Sequence, residues 1–389
     1  MKNKEKKEAI VCPLYKKCGG CQLWNLTYEK QLQFKMVKCI KLLGKYCHVS
    51  EIIGMKNPYH YRNKVQAAFR TNNRGEIISG VYQSSSHRVV SVEKCLTEDE
   101  KADEIIGTVR RLLKSFKLKP YDEDKKQGFL RHVLVKRGFK SGQIMVVLVT
   151  GVKEFPESRS FVNALLDAHP EITTVIQNVN NKKTSLVLGK DETVLFGSGK
   201  IEEQLGCFTF RISSKAFYQI NPVQTEVIYN KVLEFANLKG NETVIDAYCG
   251  TGTIGIFASP KAKQVIGVEL NRNAVCDACE NAKINNVKNI RFFNADATEF
   301  MLSMAENNEK ADVIIMDPPR AGSTTAFIKS VAKLQPEKVV YVSCNPETLS
   351  RDLFCFAKNG YRAKKIQPVD MFPHTEHVEC VVLMSSANK

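Results

Sequence analysis

"DAYCGTGTIG", residues 246–255, is the stretch on which the reading of this chain turns. The strand-like run "ETVIDAYCG" (242–250) leads into it and an expected helix leaves it. Gly250, Gly252 and Gly255 form a G-x-G-x-x-G between the two, with Glu269 close to twenty residues on. By itself this pattern fits a nicotinamide or flavin enzyme equally well. Two details tilt it toward S-adenosylmethionine. Asp246, four residues before Gly250, is a carboxylate at a strand end that could hold a ligand ammonium rather than a pyrophosphate. "DPPR", Asp317 to Arg320, ends a later strand with a proline-fixed edge of the kind seen in nucleotide-modifying methyltransferases, although alone it reads as a plain turn.

Outward from this stretch, residues 207–389 alternate strand and helix. "KQVIGVELN", "IRFFNADA", "ADVIIMDPP", "EKVVYVSCN" and "HVECVVLMSS" are strand-like, and most gaps between them can hold a helix. The expectation is a doubly wound, Rossmann-like α/β domain. Ligands bind such sheets at the carboxyl ends of the strands, where Cys249, Glu269, Asp296, Asp317 and Cys344 fall. In "YVSCNPETLS" (341–350), Cys344 sits where a strand gives way to a loop before Pro346. As a lone thiol it reads equally well as a small hydrophobe or a nucleophile.

Residues 56–206 have another texture. Short alternating runs such as "KVQAAFR", "IISGVY", "RHVLVKRG", "QIMVVLVT" and "TSLVLG" predict an antiparallel, β-rich domain interrupted by helices near 98–116 and 156–168. Residues 1–55 hold the Lys-rich start "MKNKEKKEAI", a tight thiol group in "CPLYKKCGGC" and an amphipathic helix over 25–46 whose apolar stripe is Leu26, Leu32, Phe34, Val37, Ile40 and Leu43. Lys plus Arg number 57 against 41 Asp plus Glu, a formal charge of +16, which favours a polyanionic partner such as RNA. No run is apolar enough to span a membrane and no signal peptide is evident, so a soluble cytoplasmic protein is expected. In that reducing compartment thirteen cysteines point to metal or catalysis rather than disulfides. The pair "CDAC" (Cys276, Cys279) reads as packing on a helix.

The motifs "CPLYKKCGGC", "FYQINPVQTE", "DAYCGTGTIG", "GVELN", "DPPRAG", "VSCNPETLSRD" and "MFPHTEHVE" occur in one order along the chain. Together they resemble the RNA 5-methyluridine (uracil-5-) methyltransferases, in particular the iron-sulfur branch that modifies 23S ribosomal RNA, over Cys12 almost to the C-terminus. Many members carry a small β-barrel RNA-binding domain, of TRAM type, ahead of the cysteines; only eleven residues precede Cys12 here.

The resemblance implies a class I methyltransferase domain, a β-rich RNA-binding domain before it, and C5-methylation of uridine in 23S ribosomal RNA, with transfer RNA as the alternative substrate. It implies Cys344 as the nucleophile that adds to uracil C6 and Glu379 as the base that removes the C5 proton. His374 and His377 are alternative bases, and His374 reads as a wall of the base pocket. Gln219, Tyr248, Glu269 and Asp317 are the implied cofactor contacts. Cys12, Cys18 and Cys21, spaced by five and two residues, suit zinc or iron-sulfur; the resemblance supplies Cys95 as fourth ligand and implies a 4Fe-4S cluster. Docking of RNA is expected on the middle domain through Arg62, Lys64, Arg70, Arg74, Arg88, Arg131, Lys136 and Arg137, and no obligate protein partner is evident. A noncatalytic iron-sulfur RNA-binding protein is the rival from another class, against which Cys344 and Glu379 both argue.

Overall fold

The computed structural model describes residues 11–386 apart from 84, 85, 87, 183 and 185. The Lys-rich residues 1–10 and residues 387–389, which belong to the first and third expected segments, lie outside the described residues.

After a short α1 (Tyr15–Cys18) and α2 (Tyr28–Leu43), the chain forms β1 (Lys64–Thr71), β2 (Ile77–Tyr82), β3 (Val89–Ser91), α3 (Glu100–Ser115), β4 (Leu130–Arg137), β5 (Ile144–Thr150), α4 (Ser158–Ala168), β6 (Ile172–Val179) and β7 (Asp191–Phe196). Their sheet has the order β3-β2-β1-β4-β5-β6-β7. Its pairs are antiparallel except β5–β6, because α4 carries the chain back over the sheet between them. Helices α3 and α4 cover one face, with Ile105, Val109, Phe161 and Leu165 against Val133, Val146 and Leu148. The hairpin β8 (Lys200–Leu205) and β9 (Phe208–Ser213) covers the other, so β5 is buried along its whole length. This hairpin spans residues 206 and 207, where the sequence reading changes from the middle to the last region.

The remaining elements are α5 (Pro222–Ala236), β10 (Thr243–Ala247), α6 (Thr253–Ala258), β11 (Gln264–Glu269), α7 (Arg272–Ile284), β12 (Ile290–Asn294), α8 (Ala297–Glu306), β13 (Val313–Met316), α9 (Thr325–Leu334), β14 (Lys338–Ser343), α10 (Pro346–Lys358), β15 (Tyr361–Val369) and β16 (Glu379–Ser386). They build a second sheet in the order β12-β11-β10-β13-β14-β16-β15, parallel except for β16. The strand order reverses between β10 and β13, which opens a crevice at the carboxyl ends. This is the expected doubly wound α/β domain.

Three readings are corrected. "TSLVLG" forms no strand over its described residues 186–189: Asn180 donates its side-chain amide to Leu186 O and Val187 O and holds them irregular, while the strand follows at β7. Strand β15 is additional to the expected strands of the α/β region: it lies in "YRAKKIQPV", where the lysines break the apolar pattern of a sheet edge. Helix α2 forms, capped by the Thr27 side chain, but it turns the other way: Gln31, Lys35, Cys39 and Leu43 are buried, whereas Phe34, Val37 and Ile40 are exposed.

Candidate active site

Strand register brings the catalytic candidates together. Parallel pairing matches Ala247 with Met316 and Met316 with Tyr341, so Tyr248, Asp317 and the end of β14 lie side by side. Antiparallel pairing of β14 and β16 ends at Ser343 opposite Cys380, which sets Cys344 across from Glu379. One pocket of about 720 Å³ is lined by Gln219, Tyr248, Glu269, Asp317, Cys344 and Glu379, so all six candidates face a single space.

The glycine turn forms one half of it. Gly252 has a φ of 79°, and a Cβ there would lie 2.7 Å from the Phe292 ring, so the turn tolerates no side chain. Tyr248 also takes a positive φ, 63°, at the start of the turn. Glu269 accepts from Gly250 N at 3.1 Å and from Asn271 N at 2.7 Å, which fixes its carboxylate at the pocket wall. Asp246, the expected ammonium ligand, does not line the pocket. It is fully buried and accepts from Gly255 N at 2.7 Å, tying strand β10 to the first turn of α6.

The other half is acidic. Burial pushes the Asp317 carboxyl up to about 7. Burial, then the neighbouring Asp317, pushes Glu379 up to about 8. Burial, then Glu379 and Asp317, pushes the Cys344 thiol up to about 11. A cationic ligand between these carboxyls would relieve all three.

Both histidines face elsewhere. His374 is buried against Trp24, accepts from Gln31 Nε2 at 3.2 Å on Nδ1 and donates from Nε2 to Pro58 O at 3.1 Å, so it is no wall of the pocket. Burial lowers it to about 4, which keeps it neutral. His377 does not line the pocket but accepts from Arg320, which does, at 3.2 Å. Sequence reading missed the pocket's apolar walls Phe217, Leu270 and Phe372. Phe217 and Leu270 are exposed, which is an unpartnered state for large apolar groups, but exposure leaves no trace in sequence.

Cys12, Cys18, Cys21 and Cys95 line a second cavity, of about 260 Å³, together with Arg62 and Glu98. Among the described residues no three His, Cys, Asp or Glu side chains are gathered closely enough to hold a single metal ion. Burial raises the thiols of Cys18 and Cys21, and pushes Cys95 up to about 12.

The expected docking cations divide. Arg131 is buried and donates to Asn180 O, Lys182 O and Glu123; Lys136 is buried and donates to Ser213 O and Ala216 O; Arg137 pairs with Asp99. Those three brace the fold. Arg62 belongs to the thiol cavity, and Lys64 is partly buried with its ammonium disfavoured by that burial. Arg70, Arg74 and Arg88 line a surface cleft of about 680 Å³ by the β1–β2 turn and the start of β3. No helix among the described residues is long and apolar enough to cross a membrane.

The model of the family described as tRNA (uracil-5-)-methyltransferase matches residues 27–387. An uncharacterized RNA methyltransferase of Clostridium tetani is 45% identical over 378 residues, 96% of this chain and 82% of that protein. One from Bacillus cereus is 42% identical over 97% of this chain and 83% of that protein. Among solved structures, the Pyrococcus abyssi tRNA (uracil-54, C5)-methyltransferase in complex with S-adenosyl-L-homocysteine is similar with a TM-score of 0.80 at 28% identity, covering 94% of this chain and 85% of that one. The chain therefore belongs to the tRNA (uracil-5-)-methyltransferase family of S-adenosylmethionine-dependent RNA methyltransferases.

Proposed function

We propose that this chain methylates C5 of a uridine in 23S ribosomal RNA, with Cys344 as nucleophile and Glu379 as base. The observation that carries the reading is the β14–β16 register that pairs the two across one pocket with the glycine turn. S-adenosylmethionine, cationic at sulfur, suits the carboxyl-rich pocket, with Gln219, Tyr248, Glu269 and Asp317 to hold it, and supplies the methyl group that C5 takes up. Cys344 adds as thiolate to C6, which makes C5 the nucleophilic carbon. Glu379 then removes the C5 proton; the electron pair re-forms the C5–C6 double bond and expels the Cys344 thiolate. A uracil attacked at C6 must leave its stack, and the exposed Phe217 at the pocket mouth offers it an apolar face.

The four thiols around the second cavity fit a 4Fe-4S cluster by their donor chemistry. Four thiolates also suit a single zinc ion, which is the alternative occupant. These thiols support the ribosomal branch. A second reading, transfer RNA as substrate, is favoured by the name of the Pyrococcus abyssi neighbour. The free thiols throughout suit work in the cytoplasm.

The test uses Glu379→Gln with labelled cofactor and, separately, 23S ribosomal RNA and transfer RNA. A denaturation-resistant, methylated protein–RNA adduct should accumulate with the ribosomal substrate and vanish in Cys344→Ala. Normal turnover by Glu379→Gln removes the base assignment, and an adduct with transfer RNA alone moves the substrate to the second reading.

A further inference from the structure

The segment that joins β9 to α5, residues 214–221, carries Phe217, Tyr218 and Gln219 to the pocket without a helix or strand of its own. Phe217 is 67% exposed, so few side-chain contacts fix it. The segment is fixed through its backbone instead, and two residues of the first sheet hold four of its carbonyl oxygens, Ser213 O at its start included. Lys136 Nζ, from β4, donates to Ser213 O and to Ala216 O, each at 2.9 Å. Asn63, one residue before β1, donates its backbone N–H to Ile220 O at 2.9 Å and its side-chain amide to Gln219 O at 3.2 Å. These two residues are tied to each other as well: Lys64 pairs with Lys136 across β1 and β4, and Arg137 N donates to Asn63 O at 2.8 Å.

Packing alone would not select these groups. Asn63 and Lys136 are both buried. Burial, then the neighbouring Lys64, pushes the Lys136 ammonium down to about 7. A methionine would fill the same space without the cost of burying a charge. What the ammonium adds is a pair of directed bonds to the segment that carries Gln219.

We propose that Lys136 and Asn63 are positioning residues through which the middle domain sets Gln219 in the pocket, and with it the hold on the cofactor. The inference rests on the reading of Gln219 as a cofactor contact. Neither Lys136 nor Asn63 lines the pocket, so both act through the backbone of 213–220.

The experiment titrates S-adenosylhomocysteine calorimetrically and follows steady-state RNA methylation in wild type, Lys136→Met, Asn63→Ala, Gln219→Ala and the two double variants that contain Gln219→Ala. Lys136→Met and Asn63→Ala should each weaken binding by about tenfold and raise the KM for S-adenosylmethionine more than they lower kcat. In the Gln219→Ala background the same substitutions should change affinity by less than about twofold, because the contact that they place is already gone. Asn63→Ala removes one side-chain donor and keeps the test open if Lys136→Met does not fold. Arg131→Ala, a brace that bonds Asn180 O instead, should lower the melting temperature with wild-type affinity, whereas a general loosening of the fold would weaken binding there too. Wild-type affinity in both clamp variants, an equal loss with and without Gln219, or an equal loss in Arg131→Ala overturns the proposal. Gln219→Ala alone separates the two readings. If it binds S-adenosylhomocysteine as wild type does, the cofactor reading of Gln219 falls, and hydrogen exchange then judges the clamp: the amides of 217–220 should exchange faster in Lys136→Met and Asn63→Ala, and unchanged exchange overturns it.

Discussion

Burial holds back the charge of Cys344, Glu379 and Asp317, and Asp317 adds to the effect on Glu379, as both carboxyls do on Cys344, because each buried carboxylate raises the energy of a second anion beside it. With Glu379 up at about 8 and the thiol at about 11, both are neutral groups near pH 7. Cys344 should therefore react slowly with iodoacetamide, and Asp317→Asn should speed the reaction by removing a negative neighbour; mass spectrometry of the labelled peptide at pH 7.5 measures it, and an equal rate in both proteins would separate Asp317 from the thiol. The stability sign follows from the same shifts. Carboxyls whose pKa is raised in the folded state give their full contribution below about pH 4, where the unfolded chain is also protonated, and lose it as pH rises through 7 to 8. Asp317→Asn should flatten that decline, seen as a smaller drop in urea midpoint between pH 5 and 8.5.

Helix α2 obeys propensity and defies patterning. Its stripe of Phe34, Val37 and Ile40 faces outward, while the fully buried Lys35 lies on Asp370 and the buried Cys39 sulfur sits 3.8 Å from that of Cys380. A buried ammonium persists only with a partner. Two substitutions separate pattern from packing. Lys35→Met should cost about 3 kcal/mol by leaving Asp370 buried beside a single hydroxyl, whereas Val37→Lys should change stability by less than about 0.5 kcal/mol. Urea unfolding reads both, and a Val37→Lys penalty as large as that of Lys35→Met would restore the apolar stripe as the packing face.

For the whole molecule, the charge of +16 is a field rather than a site. Only cations free to meet phosphate contribute to salt-dependent binding, so Arg74→Ala and Arg88→Ala in the surface cleft should each reduce the slope of log affinity against log salt by about 1. Arg131→Ala and Lys136→Ala should leave the slope unchanged and lower the melting temperature instead, since Arg131 bonds two carbonyls and Glu123, and Lys136 two carbonyls, inside the fold. The cavity of Cys12, Cys18, Cys21 and Cys95 makes a separate prediction at this scale. Anaerobically purified protein should be brown and contain iron and acid-labile sulfide; colourless protein with stoichiometric zinc would reject the cluster.

The α/β half was legible because a parallel sheet buried on both faces needs unbroken apolar runs, and because a glycine turn such as 250–255 has few other uses. The same local chemistry marked Cys344 and Asp317 as strand-end groups. Everything that depends on partners distant in sequence was decided by the tertiary structure. Lys35 finds Asp370, Trp24 finds His374, Asp246 turns inward to Gly255, and Arg131 and Lys136 bury their charges on carbonyls. A sequence shows which groups are costly to bury; only the packed chain shows where each finds the partner that makes burial possible.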